Sequence, residues 1–385
     1  MVDHALILLL LVLLSLIDAA VMLSRPVIEV PKSICLGYCN WNQADQKVID
    51  AVRDGVNVIV WFSVNIVKGE GGSCVIEGGP DYQKVAEIAM TLKAEGREVV
   101  HLMSVGGWNS PHPDTSFTSQ AIFEALDSWN AETVSRSELG WTGFDGFDWD
   151  VEGNDDFDSP HNEFSVKCLD TIGELSQILK RQGYVVAMAP AESYLDPTTS
   201  EFSLSLRHNH IEWESSQPNF FYRGRNIYAY LLSRYGKTSG LVNEEGGTCL
   251  DTFDFITVQL YEGYSHGKWR IRYSADPITP SVYVHHLVKA LEAGWRVNFA
   301  DVPDIKYDSQ VVEVPNSKLV IGLANGWAGE PENKFLLVSP EELVEVQRTL
   351  LSNNHRVRGY GFWNMKDEGE KEIFLARSIS SILQY

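Results

Sequence analysis

Gly143-Phe144-Asp145-Gly146-Phe147-Asp148-Trp149-Asp150-Val151-Glu152 is a run in which, from Phe147 onward, apolar and acidic residues strictly alternate. A β-strand sends successive side chains to opposite faces. Phe147, Trp149 and Val151 therefore share one face, and Asp148, Asp150 and Glu152 share the other. The apolar face can pack against helices, which leaves the acidic face pointing into the interior of a barrel. Carboxylates in a row are costly to bury unless they hydrogen-bond and share protons, because like charges a few Å apart cannot all ionise. At least one of the three pKa values is therefore expected to rise. Glu152 stands nearest the C-terminal end of the strand, where a retained proton could be presented at an open mouth. Asp150 is its neighbour on the same face and its tuning partner, with Asp148 behind.

Short apolar runs extend outward from this strand in both directions. They are ICLGYC (core 35–39), VNVIVWF (56–62), EVVHLMS (98–104), GFDGFDWD itself (143–150), YVVAMAP (184–190), DFITVQLY (254–261), KLVIGLA (318–324) and RGYGFW (358–363). Near-continuous Val, Ile and Leu mark strands buried on both faces. Helical patterns separate them. DYQKVAEIAMTLKAEG, for example, places Val85, Ile88, Ala89 and Leu92 at helical spacing and stops at Gly96. TPSVYVHHLVKALEAG and SPEELVEVQRTLL each open on Ser or Thr followed by Pro, a helix start. Eight β–α repeats predict an α/β fold of the (β/α)8 TIM-barrel type, with one catalytic domain over 25–385. The long connections after strands five (191–253) and six (262–317) leave the C-terminal ends of strands, so they are expected to wall a cleft.

Composition narrows the class of partner. A net charge of −21 argues against nucleic acid, whose phosphates call for Lys and Arg, and against an anionic polymer. Eleven Trp are enough both to fill gaps between helices and strands and to line a sugar cleft, since a sugar stacks its C–H face on an aromatic ring. Residues 1–24 read as a signal peptide or leader, with an apolar run from Ala5 to Ile17 that is too short to span a bilayer comfortably. No Lys or Arg precedes that run and Asp18 sits awkwardly for cleavage, so a signal anchor and a chance apolar leader are the alternatives to secretion. Five cysteines match no zinc spacing; in a secreted chain one or two disulfides are expected, with a thiol left over and Cys168 buried in a helix. No Asn-x-Ser/Thr sequon occurs. A divalent-metal site aided by Asp155, Asp156 and Asp158 competes for the acidic run. Those three follow Gly153 in a polar loop and read as solvated, so no metal is expected.

The run from Asp145 to Glu152 resembles the DxxDxDxE signature of glycoside hydrolase family 18, the chitinase family, at every fixed position. Ser104-Val105-Gly106-Gly107 is similar to that family's SxGG motif. Gln259-Leu260-Tyr261-Glu262 is similar to its Q-x-Y-N motif, with Glu262 departing from the Asn or Asp found there. Trp363 ends strand eight where the family has the Trp that floors the −1 sugar site, and Met188-Ala189-Pro190 resembles a segment of several bacterial-type members. The resemblance covers 33–385.

It implies hydrolysis of chitin or N-acetylglucosamine oligosaccharides by a retaining, substrate-assisted mechanism that needs no cofactor. Catalytic roles fall to Glu152 as general acid/base, Asp150, Asp148 and Tyr261. Trp363, Gln259, Tyr38, Trp108, Gly107 and Met188 are the substrate-binding candidates. Trp327 and Trp269 are further loop candidates, Trp149 reads as core, and Asp145 reads as structural because its parity is opposite to that of the inward acids. The segment after strand seven is too short for the extra α+β insertion of one family branch, which implies a shallow cleft and endo cleavage. A monomer is expected. An endo-β-N-acetylglucosaminidase acting on N-glycans shares this fold and acid. A non-catalytic sugar-binding protein is the third reading, and the intact acids count against it.

Overall fold

The alternation at the acidic strand is repeated around a closed ring of parallel strands. The computed structural model describes residues 25, 28–42, 45–207, 224–239, 249–263, 265–328 and 335–384. The leader expected at 1–24 lies outside them. The ring comprises β1 (Ile34–Cys39), β2 (Val58–Lys68), β3 (Val100–Gly107), β4 (Gly146–Val151), β5 (Val185–Met188), β6 (Phe255–Gln259), β7 (Leu319–Ala324) and β8 (Gly359–Trp363). Each pairs in parallel with its neighbours in chain order, and β1 closes the ring by pairing with both β2 (Leu36↔Val58) and β8 (Ile34↔Gly359). A short antiparallel strand, Cys74–Gly78, extends the long end of β2.

Helices follow each ring strand: α1 (Asp45–Arg53), α2 (Tyr82–Ala94), α3 (Ser119–Ser128), α4 (Val166–Arg181), α5 (Ile227–Tyr235), α6 (Pro280–Ala293), α7 (Pro340–Ser352) and α8 (Leu375–Leu383). Their starts are chemically specified. Asp81, Thr118, Ser165 and Thr279 each accept a backbone N–H of the first turn, and Ser339 with Glu342 forms a reciprocal capping box before α7.

The core is split by the ring. Inside it Ile34, Leu36, Val58, Val60, Val100, Leu102, Ala187, Phe255 and Val320 pack together. Outside it Phe147, Trp149 and Val151 of β4 pack with Leu169, Ile172 and Leu175 of α4 in a larger sheet–helix layer. Trp149 is wholly buried there and donates from Nε1 to Ser176 Oγ at 2.8 Å. The two long connections are more than cleft walls. Each carries a ring helix and an antiparallel hairpin, Lys237–Ser239 with Cys249–Asp251 in the first and Trp295–Asn298 with Ser309–Val312 in the second. They meet where Asn298 bridges Glu201.

The expected disulfides are absent: all five cysteines are thiols. Cys35 and Cys39 lie four residues apart along β1, which at about 3.3 Å per residue is beyond disulfide reach. Cys168 is buried in α4.

Candidate active site

The alternating residues of β4 carry the acids up the inside of the ring to its mouth. Exposure rises from 0% at Asp148 to 5% at Asp150 and 7% at Glu152. Tyr38, on the inner face of β1, donates from Oη to Asp148 Oδ2 at 3.0 Å. Gln259, the last residue of β6, reaches across with its amide. Its Nε2 lies 2.7 Å from Asp150 Oδ1, 3.2 Å from Glu152 Oε1 and 2.6 Å from the Ala189 carbonyl. Two amide protons thus serve three acceptors. Asp150 and Glu152 thus share one amide, and the charge of one carboxyl is felt by the other.

Burial dominates the electrostatics. It pushes Asp148 up to about 8, with the charge of Asp150 adding to the rise and the Tyr38 hydroxyl opposing it. Asp150 is lifted well above the usual carboxylate range, by burial first and the Glu152 charge second. Glu152 is pushed up to about 7 by burial, and the nearby charge of Glu262 also raises it. A site of this kind keeps protons on carboxyls near neutral pH, as proton donation to a leaving group requires. Asp145, on the outward parity, accepts the His101 backbone N–H at 2.8 Å and ties β3 to β4.

Glycines of β3 allow the close approach that brings these groups together. Gly106 pairs with Asp150 in register, at φ 100°, and a Cβ there would lie 2.7 Å from the Asp150 carbonyl oxygen. Gly107 leaves room for the Phe62 ring, which its Cβ would overlap at 2.0 Å. The close approach is therefore to Asp150 and Phe62. Asp148 sits opposite Ser104. Beyond β3, His112 Nε2 lies 2.9 Å from the Glu152 carbonyl oxygen and steadies the backbone of the acid. Burial pushes the His112 imidazole down to about 4, so near neutral pH it is uncharged and donates this bond as a neutral ring.

Aromatic rings line the mouth. Trp363, at the end of β8, stands across the ring from β4 and contacts Tyr38 (centroids 5.7 Å apart) and Phe62 (4.8 Å, edge to face). Phe62 in turn meets Trp41, which is 60% exposed. Tyr261 lies just past β6, near enough to Asp150 for that charge, after burial, to raise its phenol. Its ring meets Trp327 edge-on at 6.4 Å, and Trp327 Nε1 donates to the Trp363 carbonyl at 2.7 Å. Trp108 is half-buried beside Gly153, next to the acid. Trp269 instead stacks on His266.

Of the residues singled out in the sequence, Glu152, Asp150, Asp148, Gln259, Tyr38, Tyr261, Trp363, Trp108 and Gly107 are gathered at this mouth. Met188 is not. It is wholly buried and belongs to the sheet–helix layer, while its neighbour Ala189 faces inward and supplies the carbonyl that holds Gln259. The sequence reading passed over Phe62, Trp41 and His112. A Trp directly after β1 in the polar stretch Asn40-Trp41-Asn42 was the available signal for one of them. Glu262 is buried beside the acids, with neither carboxylate oxygen hydrogen-bonded among the described residues. Next to it Glu192 accepts from Ser265 Oγ, the Gly267 N–H and Tyr283, tying the loops after β5 and β6 together.

No protein-family model and no curated protein sequence matches the chain. Solved structures do match it over nearly its whole length. The C-terminal domain of Legionella pneumophila ChiA superposes with a TM-score of 0.54 at 15% identity, covering 91% of this chain and 98% of that one. A fungal endo-β-N-acetylglucosaminidase of glycosyl hydrolase family 18 gives 0.54 at 16% identity, covering 92% and 99%. A family 18 chitinase from Pseudoalteromonas aurantia gives 0.51 at 13% identity, covering 91% and 100%.

The chain has the fold of the family 18 glycoside hydrolases. In that fold β4 and β8 stand opposite each other, so Trp363 has Asp150 and Glu152 facing it from across the mouth. Among the described residues no group of three or more His, Cys, Asp or Glu is disposed to hold a metal ion. Asp155, Asp156 and Asp158 are exposed, and Asp155 accepts side-chain hydrogen bonds from Trp108 and Asn109.

Proposed function

We propose that the chain is a retaining glycoside hydrolase that cleaves β-1,4-linked N-acetylglucosamine polymers, with Glu152 as general acid and then general base. The observation that carries this reading is the buried carboxyl pair Asp150 and Glu152, clamped by one Gln259 amide at the barrel mouth opposite Trp363.

In the first step Glu152 gives its proton to the glycosidic oxygen and the C1–O bond breaks. The 2-acetamido carbonyl oxygen of the same sugar attacks C1 and closes an oxazolinium ring. Asp150 accepts the acetamido N–H and stabilises the positive charge, and Asp148 takes part in the proton sharing behind it. The Tyr261 hydroxyl orients the acetamido oxygen. Water then attacks C1 from the side the leaving sugar vacated, gives its proton to Glu152, and reopens the ring with net retention.

The short segment after β7 supports a shallow, endo-acting cleft. The leader at 1–24 supports export from the cell.

An endo-β-N-acetylglucosaminidase acting on N-glycans is the second reading, supported equally by the likeness to the fungal enzyme of that name. Incubation with colloidal chitin and, separately, with a high-mannose glycoprotein separates the two, with the anomer of the first product read by proton NMR. Soluble β-anomeric oligosaccharides from chitin are expected. Glycan release without chitin cleavage selects the second reading, and α-anomeric product contradicts the mechanism.

A further inference from the structure

Among the described residues, Trp108 is the indole that stands beside the residue following Glu152. It leaves β3 directly after Gly107, and its Cζ3 lies 3.3 Å from where a Cβ on Gly153 would stand, so the ring overlies the residue that follows Glu152. If the sugar to be transferred rests on Trp363, the leaving sugar lies beyond Glu152, on the Trp108 side. An indole on a loop keeps its orientation only if something fixes its two side-chain torsions.

The loop after β4 does so. Trp108 Nε1 donates to Asp155 Oδ1 at 3.0 Å. The other oxygen of the same carboxylate accepts Asn109 Nδ2 at 2.7 Å, and the Asp155 backbone N–H returns a bond to Asn109 Oδ1 at 2.8 Å. Asn109 N donates to the Gly153 carbonyl at 2.9 Å, with Asn109 itself at φ 70°. One carboxylate thus uses one oxygen to hold the indole and the other to hold the loop that carries it.

We propose that Asp155 is a positioning residue that locks the Trp108 indole beside Glu152 as the platform for the leaving-group sugar. This rests on the site being an N-acetylglucosamine polymer hydrolase. The lock itself can be observed without turnover.

The test combines Asp155→Ala, Trp108→Phe and the double variant. Phe keeps a flat ring but has no N–H for Asp155 to hold. Steady-state kinetics are taken on chitohexaose, which has leaving-side sugars, and on chitobiosyl fluoride, whose leaving group is a single atom. The indole N–H signals are followed by 15N NMR, with that of Trp108 assigned from its loss in Trp108→Phe.

Asp155→Ala is expected to raise KM for chitohexaose by about three- to tenfold, the scale of one lost hydrogen bond. It should leave the fluoride unchanged, shift the Trp108 indole signal alone, and add nothing to Trp108→Phe in the double-variant cycle. Equal losses on both substrates, or a full additional loss in the Trp108→Phe background, would show that Asp155 serves the loop and not the indole, and would overturn the proposal. If the wild type cleaves neither substrate, the hydrolase reading is what fails. The lock then stands or falls on whether the Trp108 signal moves in Asp155→Ala.

Discussion

Asp148, Asp150 and Glu152 differ in position by only two residues each, yet their surroundings differ. Tyr38 binds the deepest, Gln259 clamps the outer two together, and Glu152 stands outermost. The sign of the pH dependence follows. Glu152 acts as an acid only while protonated, and its pKa is raised to about 7, so kcat/KM is expected to fall as pH rises through about 7. The shared inward face of the three acids was legible from parity alone. Met188 was misplaced because a motif resemblance was followed where parity pointed the other way: Val185, Ala187 and Ala189 face in, and Val186 and Met188 face out.

At the scale of elements, β3 and β4 form a single device. The acids sit on one strand, and the glycines that let its neighbour close up sit on the other. Gly106→Ala places a side chain at φ 100° and drives a Cβ to 2.7 Å from the Asp150 carbonyl, so β3 must move away from β4. Thermal unfolding should drop by a few degrees, as expected for a backbone penalty of one or more kcal/mol. kcat should fall with it, because β4, the strand whose packing against β3 is disturbed, carries Asp150. An unchanged melt would mean that the ring has slack here. The eight strands and their helices could be read from hydrophobic runs and capping residues. The hairpins within the two long connections could not, because strands such as Lys237–Ser239 are too short to show a period. His112 escaped notice for a related reason: its bond is to the Glu152 backbone carbonyl, and no residue pattern records a backbone partner.

Across the whole molecule, burial raises several carboxyls: Asp145 to about 6, Glu192 and Glu368 to about 7, and Asp148 to about 8. A raised acid binds its proton more tightly in the folded state than in the unfolded state. Its stabilising contribution is complete below the unfolded pKa near 4 and is lost as pH climbs to the folded value. The net charge of −21 adds self-repulsion in the same direction. Melting temperatures measured from pH 5 to pH 8 should therefore decline, and Asp148→Asn should flatten the upper part of that decline. A Tm that rises over this range contradicts the assignment. Fold class was recoverable from the sequence at this scale, whereas disulfides were not. The expectation came from the leader and the cysteine count, although the run ICLGYC already set Cys35 and Cys39 on one strand, too far apart to pair.

The most direct test of the central claim is hydrolysis of a fluorogenic chitotriose by wild type and by Glu152→Gln, which keeps the shape of the side chain and removes its titratable proton. Wild-type turnover with a loss of about three orders of magnitude in the variant is expected for removal of the general acid. Turnover by Glu152→Gln within tenfold of wild type, or no turnover by wild type on this substrate or on chitin, would contradict the assignment of Glu152 as the proton donor of a chitin-cleaving enzyme.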